Sequence, residues 1–503
     1  MEDDQELLTP AVAHPGRLGA LIFALFLILL SLSWPISRSP LPWIDEVVFA
    51  SAAGNFHWRT GATPAVLADF PGTGRFDLFY GPAALGLASV WVSAQPLGME
   101  WYRAFSLIAA VLLCALGGGI VWTCTRRIDA ALGAAGLLGV SMMIGSRATS
   151  GRLDALTVAA ELAAVYSVLR ADSSGRALKP ALWCAAGLFL AFAVLSTPRA
   201  IPNVAAIVAA LLLSIRPFKS ALLKTGLTAA VIALAVSAWT LSQGLSPFQW
   251  LRLLVSGSHG DAENTSPLMG GSWGIATGSL LYSGVVFFCA ALVFIVIALN
   301  RREAMSQWRT ALLVIAAGMN VLLTLAVISR PASYDIYWMC LPVIAACASF
   351  RGVVPGTRKR LALAALIAVS FFWTALRVFK DVQIISSWNA SDPQPANDFM
   401  AIHVPAGSSV YGPPDFFFYA VELAGSRYLY PGELTTPALN SHRAPVTSAS
   451  GAPRFLIWPD DRKLPGRFEQ VRPVAHFLGA GSHHRSGFNM ELGYPSSTLY
   501  QLP

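Results

Sequence analysis

Apolar residues in this chain come in long blocks. Neither the alternation of a half-buried strand nor the three-to-four spacing of a soluble amphipathic helix dominates. The blocks are Leu18–Ile36, Ala104–Trp122, Ala130–Ser146, Leu153–Leu169, Ala181–Ser196, Ile201–Ile215, Ala221–Leu241, Ser279–Asn300, Thr310–Ile328, Asp335–Phe350 and Leu361–Val378. Most approach the roughly 20 residues that cross a bilayer as a helix. A further apolar stretch, Phe79–Gln95, is broken by Gly81, Pro82 and Gly86. It reads as a helix lying in the membrane interface. After about residue 380 the pattern changes. Short strand-like runs appear at Ser409–Tyr411, Arg454–Trp458, Glu469–Val474 and Thr498–Gln501, with a helical stretch at Asp415–Leu423. The expected fold is an all-α polytopic membrane bundle of about eleven transmembrane helices followed by a small α/β domain. The expected division is 1–380, including a long loop over 37–103, and 381–503.

Composition supports this. The 503 residues are 55% hydrophobic and 12% charged, about half the charge of a soluble protein. In a membrane protein, the net charge of +8 points to cytoplasmic loops rather than nucleic acid. Basic residues crowd alternate connectors: Arg126 and Arg127; Arg170, Arg176 and Lys179; Arg216, Lys219 and Lys224; Arg301, Arg302 and Arg309; Arg351, Arg358, Lys359 and Arg360. Those connectors are expected inside, with the N-terminus. The loop 37–103 and the tail are then expected on the outer face of the cytoplasmic membrane. The acidic head, Met1 to Glu6, argues against a cleavable signal and for a retained first helix. The six cysteines all fall in or beside apolar blocks, with no CxxC pair or disulfide framework.

The chemistry-bearing residues gather on the expected outer face. Asp45 and Glu46 follow the first block as a carboxylate pair. Such a pair can supply a general base for a hydroxyl or amine or hold a divalent cation. Equally, Asp45 can cap a helix starting near Val47. In Ser146–Asp154, Arg147 and Arg152 can donate to phosphate, while Asp154 is either a site acid or the acidic first turn of a helix. Glu161, two turns further on, suits a hydrogen bond between helices more than chemistry. Arg199, after Thr197-Pro198, can meet phosphate or snorkel to water. Arg330, Tyr334 and Asp335 can touch a headgroup or close the bundle. His57, His259, His483 and His484 lack metal-ligand spacing. The sequence shows no Walker loop, nucleophile elbow or dinucleotide fingerprint, which disfavours a nucleotide-driven pump.

In order along the chain, these pieces resemble the GT-C membrane glycosyltransferases, including the aminoarabinose transferases of lipid A and the protein O-mannosyltransferases. Ile44-Asp45-Glu46-Val47-Val48-Phe49-Ala50 is similar to the family's DE-x-x-Y-A pattern, with Phe49 in place of its tyrosine. Phe79-Tyr80-Gly81-Pro82 is similar to its interfacial helix, though with one proline for two. Gly98–Arg103, Arg147–Asp154 and Tyr337–Pro342 resemble its later elements, while Thr197-Pro198-Arg199 replaces its usual Lys before Gly-Pro. The resemblance implies an inverting transfer from a polyprenyl-phosphate sugar to a lipid, glycan or protein acceptor. It implies Asp45 as base, Glu46 or Asp154 as orienting or cation-holding acids, and Arg147, Arg152, Arg199 or Arg330 on the phosphate, with Tyr334 and Tyr80 lining the donor. A divalent cation on Asp45 and Glu46 is the one cofactor it admits. A transporter of lipid-linked sugars and a non-catalytic scaffold for envelope assembly are the competing readings. Against transport stand the lack of paired halves and the clustering of charge on one face.

Overall fold

The computed structural model describes residues 15–38, 41–42, 44–57, 61–62, 64–67, 80–259, 280–327, 334–350, 356–422, 426–429, 453–464, 468, 471–479 and 493–502. Its helices are α1 (Pro15–Ser33), α2 (Ile44–Gly54), α3 (Pro82–Ser93), α4 (Met99–Thr125), α5 (Ile128–Val140), α6 (Met142–Thr149), α7 (Asp154–Asp172), α8 (Leu178–Val194), α9 (Ile201–Ser214), α10 (Phe218–Ser242), α11 (Pro247–His259), α12 (Leu280–Leu299), α13 (Arg301–Met305), α14 (Trp308–Val327), α15 (Asp335–Ser349), α16 (Thr357–Ser386), α17 (Gln394–His403) and α18 (Phe417–Glu422). Each apolar block of the sequence is helical, and the stretch read as interfacial forms α3.

By length and composition, four described helices can cross a membrane: α4, α10, α14 and α16. The bent pair α5 and α6 adds a fifth. Six further apolar helices are shorter over their described residues, so among those residues the count by this measure is below the eleven expected. The protein is a multi-helix membrane bundle, and α15 is its axis, with every residue from Asp335 to Ser349 buried. Around it pack α4, α5, α7, α12 and α14.

Two local features set the geometry of the end of the bundle that carries Arg147 and Tyr80. Between α5 and α6 the chain turns by 57° at Ser141, whose hydroxyl oxygen accepts from the Ile144 amide at 3.4 Å. A serine cap of this kind lets a new helix start in a new direction, and it carries Arg147 inward. Gly81 approaches the end of α8 so closely that a Cβ there would lie 1.8 Å from the Leu195 carbonyl oxygen. The next amide, Ala83, donates to that carbonyl at 3.1 Å. The contact fixes the start of α3, and with it Tyr80.

The tail forms a mixed sheet from β3 (Ser409–Tyr411), β4 (Arg427–Leu429), β5 (Arg454–Pro459), β6 (Arg472–Phe477) and β7 (Ser497–Gln501), after a small hairpin of β1 (Phe56–His57) and β2 (Gly61–Ala62). The sheet order is β4-β3-β5-β7-β6. β3 runs parallel to β4 and β5, and β7 is antiparallel to β5 and β6. Three of the expected strands match within a residue or two, and the fourth, β6, begins three residues later than expected. β4 and α17 were not expected. The sheet does not stand apart from the bundle. Phe416, Phe417, Phe418 and Tyr428 share one apolar cluster with Val47, Phe49 and Leu85 of α2 and α3. The tail is thus a wall behind α2, the helix that carries Asp45. A second tie joins the end of α1 to the start of the tail, where Trp34 stacks on Trp388 at 5.5 Å and Arg38 pairs with Asp392 at 3.2 Å.

Candidate functional site

Distant stretches of chain meet at one end of the bundle. From α2 comes Asp45, its side chain 42% exposed, with Oδ2 2.8 Å from a guanidinium nitrogen of Arg152. Helix α2 begins at Ile44, so Asp45 sits inside the first turn and its carboxylate goes to Arg152. The turn between α6 and α7 brings Arg152 itself, which also donates through Nε to Asp154 Oδ2 at 2.5 Å. Arg147, in the last turn of α6, lies 3.8 Å from the same oxygen. Arg152 therefore bridges two carboxylates, one enclosed and one open to solvent. Burial pulls its pKa down, but Asp154 and Asp45 outweigh that, so it lies well above the ordinary arginine value and the cation is permanent.

The turn depends on Gly151, whose φ is +62° and whose Cβ, if present, would lie 2.8 Å from Glu46 Oε1. Left-handed backbone at this spot favours glycine, and the crowding leaves no room for a side chain. Both constraints aim Arg152 at Asp45.

Tyr334, just before α15, is the hub of the cations. The guanidinium of Arg199 lies 4.2 Å from its ring centre, that of Arg152 5.4 Å and that of Arg147 5.9 Å. Arg199 also stands 5.5 Å from the Tyr80 ring centre and donates to the Tyr80 hydroxyl at 3.3 Å. Aromatic faces attract cations, and one ring here gathers three. Arg199 draws the Tyr80 phenol pKa down. Burial and the neighbouring Tyr334 and Asp45 prevail, so the net shift is upward and the phenol keeps its proton. Among the described residues, three guanidiniums gather here with two carboxylates, Asp45 and Asp154. Such a cluster suits an anion with several oxygens, above all a phosphate.

Asp154 is held from below. Its Oδ1 accepts from the Tyr337 hydroxyl at 2.7 Å. The Tyr337 carbonyl accepts from Asn203 at 2.7 Å and from Asn320 at 2.8 Å. Asn203 also donates to Glu161 Oε2 at 2.7 Å, and Thr324 donates to Asn320 at 3.0 Å. Polar groups this deep in a bundle need partners from other helices. Here they fix the first turn of α15 so that its tyrosine meets Asp154. Glu161 has the interhelical role expected from the sequence. Asn203, Asn320 and Tyr337 were not read as site supports. Isolated amides inside apolar blocks are a usable signal, but nothing in one sequence says they converge.

Glu46 has a different partner from Asp45. Consecutive residues of a helix point about 100° apart, and Glu46 faces inward. Arg103 Nε donates to its Oε1 at 2.6 Å and another guanidinium nitrogen to its Oε2 at 2.9 Å, with both side chains fully buried. Each Glu46 oxygen thus accepts from Arg103, whereas the Asp45 carboxylate meets Arg152. Among the described residues no group of three or more His, Cys, Asp or Glu could hold a metal ion. Arg330, His483, His484 and the segment after His259 lie outside the described residues.

No protein-family profile matches the chain, and no curated protein is similar to it in sequence. Solved structures are similar in fold. ArnT from Cupriavidus metallidurans bound to undecaprenyl phosphate superposes with a TM-score of 0.63 at 14% identity, over 98% of each chain. The oligosaccharyltransferase of Archaeoglobus fulgidus in its apo form gives 0.51 at 14% identity, over 88% of this chain and 69% of that one. The mycobacterial arabinofuranosyltransferase AftD gives 0.50 at 15% identity, over 96% of this chain and 41% of that one. Over nearly its whole length, the chain has the GT-C glycosyltransferase fold of ArnT.

Proposed function

We propose that this protein moves a sugar from a polyprenyl-phosphate donor to a hydroxyl or amine acceptor at the outer face of the cytoplasmic membrane, with inversion. The observation that carries this reading is the meeting of Asp45 with three arginines gathered on Tyr334. The fold likeness supports it, since ArnT was solved with undecaprenyl phosphate and the archaeal oligosaccharyltransferase with dolichol-phosphate. In this reading eleven helices span the membrane, the N-terminus is cytoplasmic and the tail lies outside. The region 381–503 then acts as an extracytoplasmic domain that braces α2.

The acceptor's proton passes to Asp45 as its oxygen or nitrogen attacks the anomeric carbon. The bond from that carbon to the phosphate oxygen breaks, and its electron pair leaves with the polyprenyl phosphate. Arg147, Arg152 and Arg199 stabilise the growing phosphate charge, which preorganised cations do best. Asp154, locked by Tyr337, holds Arg152 in place. An entering phosphate takes the place of the half-exposed Asp45 at Arg152, while Asp154 keeps its own bond to the same guanidinium, and donor binding itself frees the base.

The test uses purified full-length protein reconstituted with a polyprenyl-phosphate sugar and acceptor membranes, and reads released polyprenyl phosphate. Release is expected. Movement of intact donor across the bilayer without cleavage supports a transporter instead, and neither result supports a scaffold. Of Arg147→Ala, Arg152→Ala and Arg199→Ala, at least one is expected to raise the donor KM about tenfold or more, matching the loss of a charged hydrogen bond, with a smaller effect on the acceptor KM. Negligible effects in all three reject the phosphate role. Tyr337→Phe removes one hydrogen bond to a carboxylate. It is expected to lower kcat by about tenfold at unchanged protein yield, and wild-type kcat in that variant removes Tyr337 as a positioning residue.

A further inference from the structure

At the other end of α7, 19 residues and so about 28 Å from Asp154, a groove of about 190 Å³ opens between α8 and α10. Trp183, Leu223 and Leu227 line it, and Lys179 and Lys224 stand on its two walls. Lys224 Nζ lies 5.6 Å from the Trp183 ring centre. Asp172, also at the groove, pairs with Arg309 at 3.5 Å, so its charge is already answered. Among the described residues neither lysine forms an ion pair. Leu223 is 76% exposed on α10, a helix only 17% buried over its most apolar window and thus turned towards lipid chains.

We propose that this groove binds an anionic phospholipid of the leaflet opposite the candidate active site. Its phosphate sits between the Lys179 and Lys224 ammonium groups, and an acyl chain runs along Leu223 and Leu227. Long basic side chains lay their stems on apolar surface and keep the charge at the headgroup level, and basic pockets between membrane helices take acidic headgroups. The apolar lining favours a lipid over free phosphate. The inference needs the protein to be in a membrane but does not depend on glycosyl transfer.

The experiment is native mass spectrometry of the full-length protein taken from phosphatidylcholine vesicles doped with phosphatidylglycerol. The wild type is expected to keep phosphatidylglycerol in preference to phosphatidylcholine. Lys179→Gln with Lys224→Gln is expected to reduce that preference about thirtyfold, from roughly 1 kcal/mol for each juxtamembrane cation. Arg176→Gln with Lys219→Gln removes the same charge from the same end outside the groove and is expected to leave it unchanged. Equal losses from the two pairs, full retention in the Lys179/Lys224 variant, or displacement of the lipid by inorganic phosphate would each overturn the proposal.

Discussion

Asp45→Asn is expected to cut release of polyprenyl phosphate by at least about a hundredfold, the lower range for removing a general base, while protein yield and unfolding temperature stay at wild-type values. Asparagine has nearly the same shape and can still accept from Arg152, so α2 and the cation cluster remain in place. It cannot take a proton. Asp154 cannot stand in, because its side chain is 7% exposed and its oxygens are committed to Arg152 and Tyr337. Asp45, at 42% exposure, is the acid of the cluster that an acceptor can reach. Asp45→Glu keeps the proton-accepting group but shifts it by a methylene and is expected to recover only part of the rate. The assay is single-turnover release of polyprenyl phosphate with saturating acceptor. Wild-type turnover in Asp45→Asn would remove Asp45 as the base.

Much of the fold was legible because a bilayer imposes long apolar blocks and a strict hydrogen-bonding rule on what crosses it. The blocks located each helix of the bundle. What a single sequence could not carry was the meeting of distant stretches. Asp45 and Arg152 are 107 residues apart, and their contact depends on the left-handed turn at Gly151, which reads as an ordinary glycine. Arg147, Arg152, Arg199, Tyr80 and Tyr334 were named one by one as phosphate or headgroup candidates. Their sharing of the Tyr334 ring follows from the position of α15 at the bundle axis. The separate partners of Glu46 and Asp45 were hidden for the converse reason. Two adjacent carboxylates suggest a pair in the sequence, whereas a helix sends them in different directions. Length and hydropathy judge each helix alone, and α7, with Asp154, Glu161 and Arg170, fails that test while packing in the middle of the bundle.

Glu46→Ala is expected to destabilise the protein by about 3–5 kcal/mol, the usual result of leaving one partner of a buried ion pair alone. Arg103 is fully buried. Besides Glu46 it reaches the carbonyl of Ile36 at 3.0 Å, so it ties α4 to both the end of α1 and the start of α2. Without Glu46 a guanidinium would keep its charge in a space shaped by Tyr102 and Gly151, where water cannot replace the lost carboxylate. Domains are stable by only about 5–15 kcal/mol, so a fall in yield and a clear drop in unfolding temperature should follow. Joining Glu46→Leu with Arg103→Met removes both charges and is expected to regain most of the stability, because apolar groups of similar volume often replace a buried ion pair without loss. The same double variant separates structure from chemistry. If it folds and still releases polyprenyl phosphate, Glu46 serves only to seat α2 and present Asp45. If Glu46→Ala instead folds at wild-type yield and stability but is inactive, Glu46 takes part in the reaction and the division of labour between the two carboxylates proposed above is wrong.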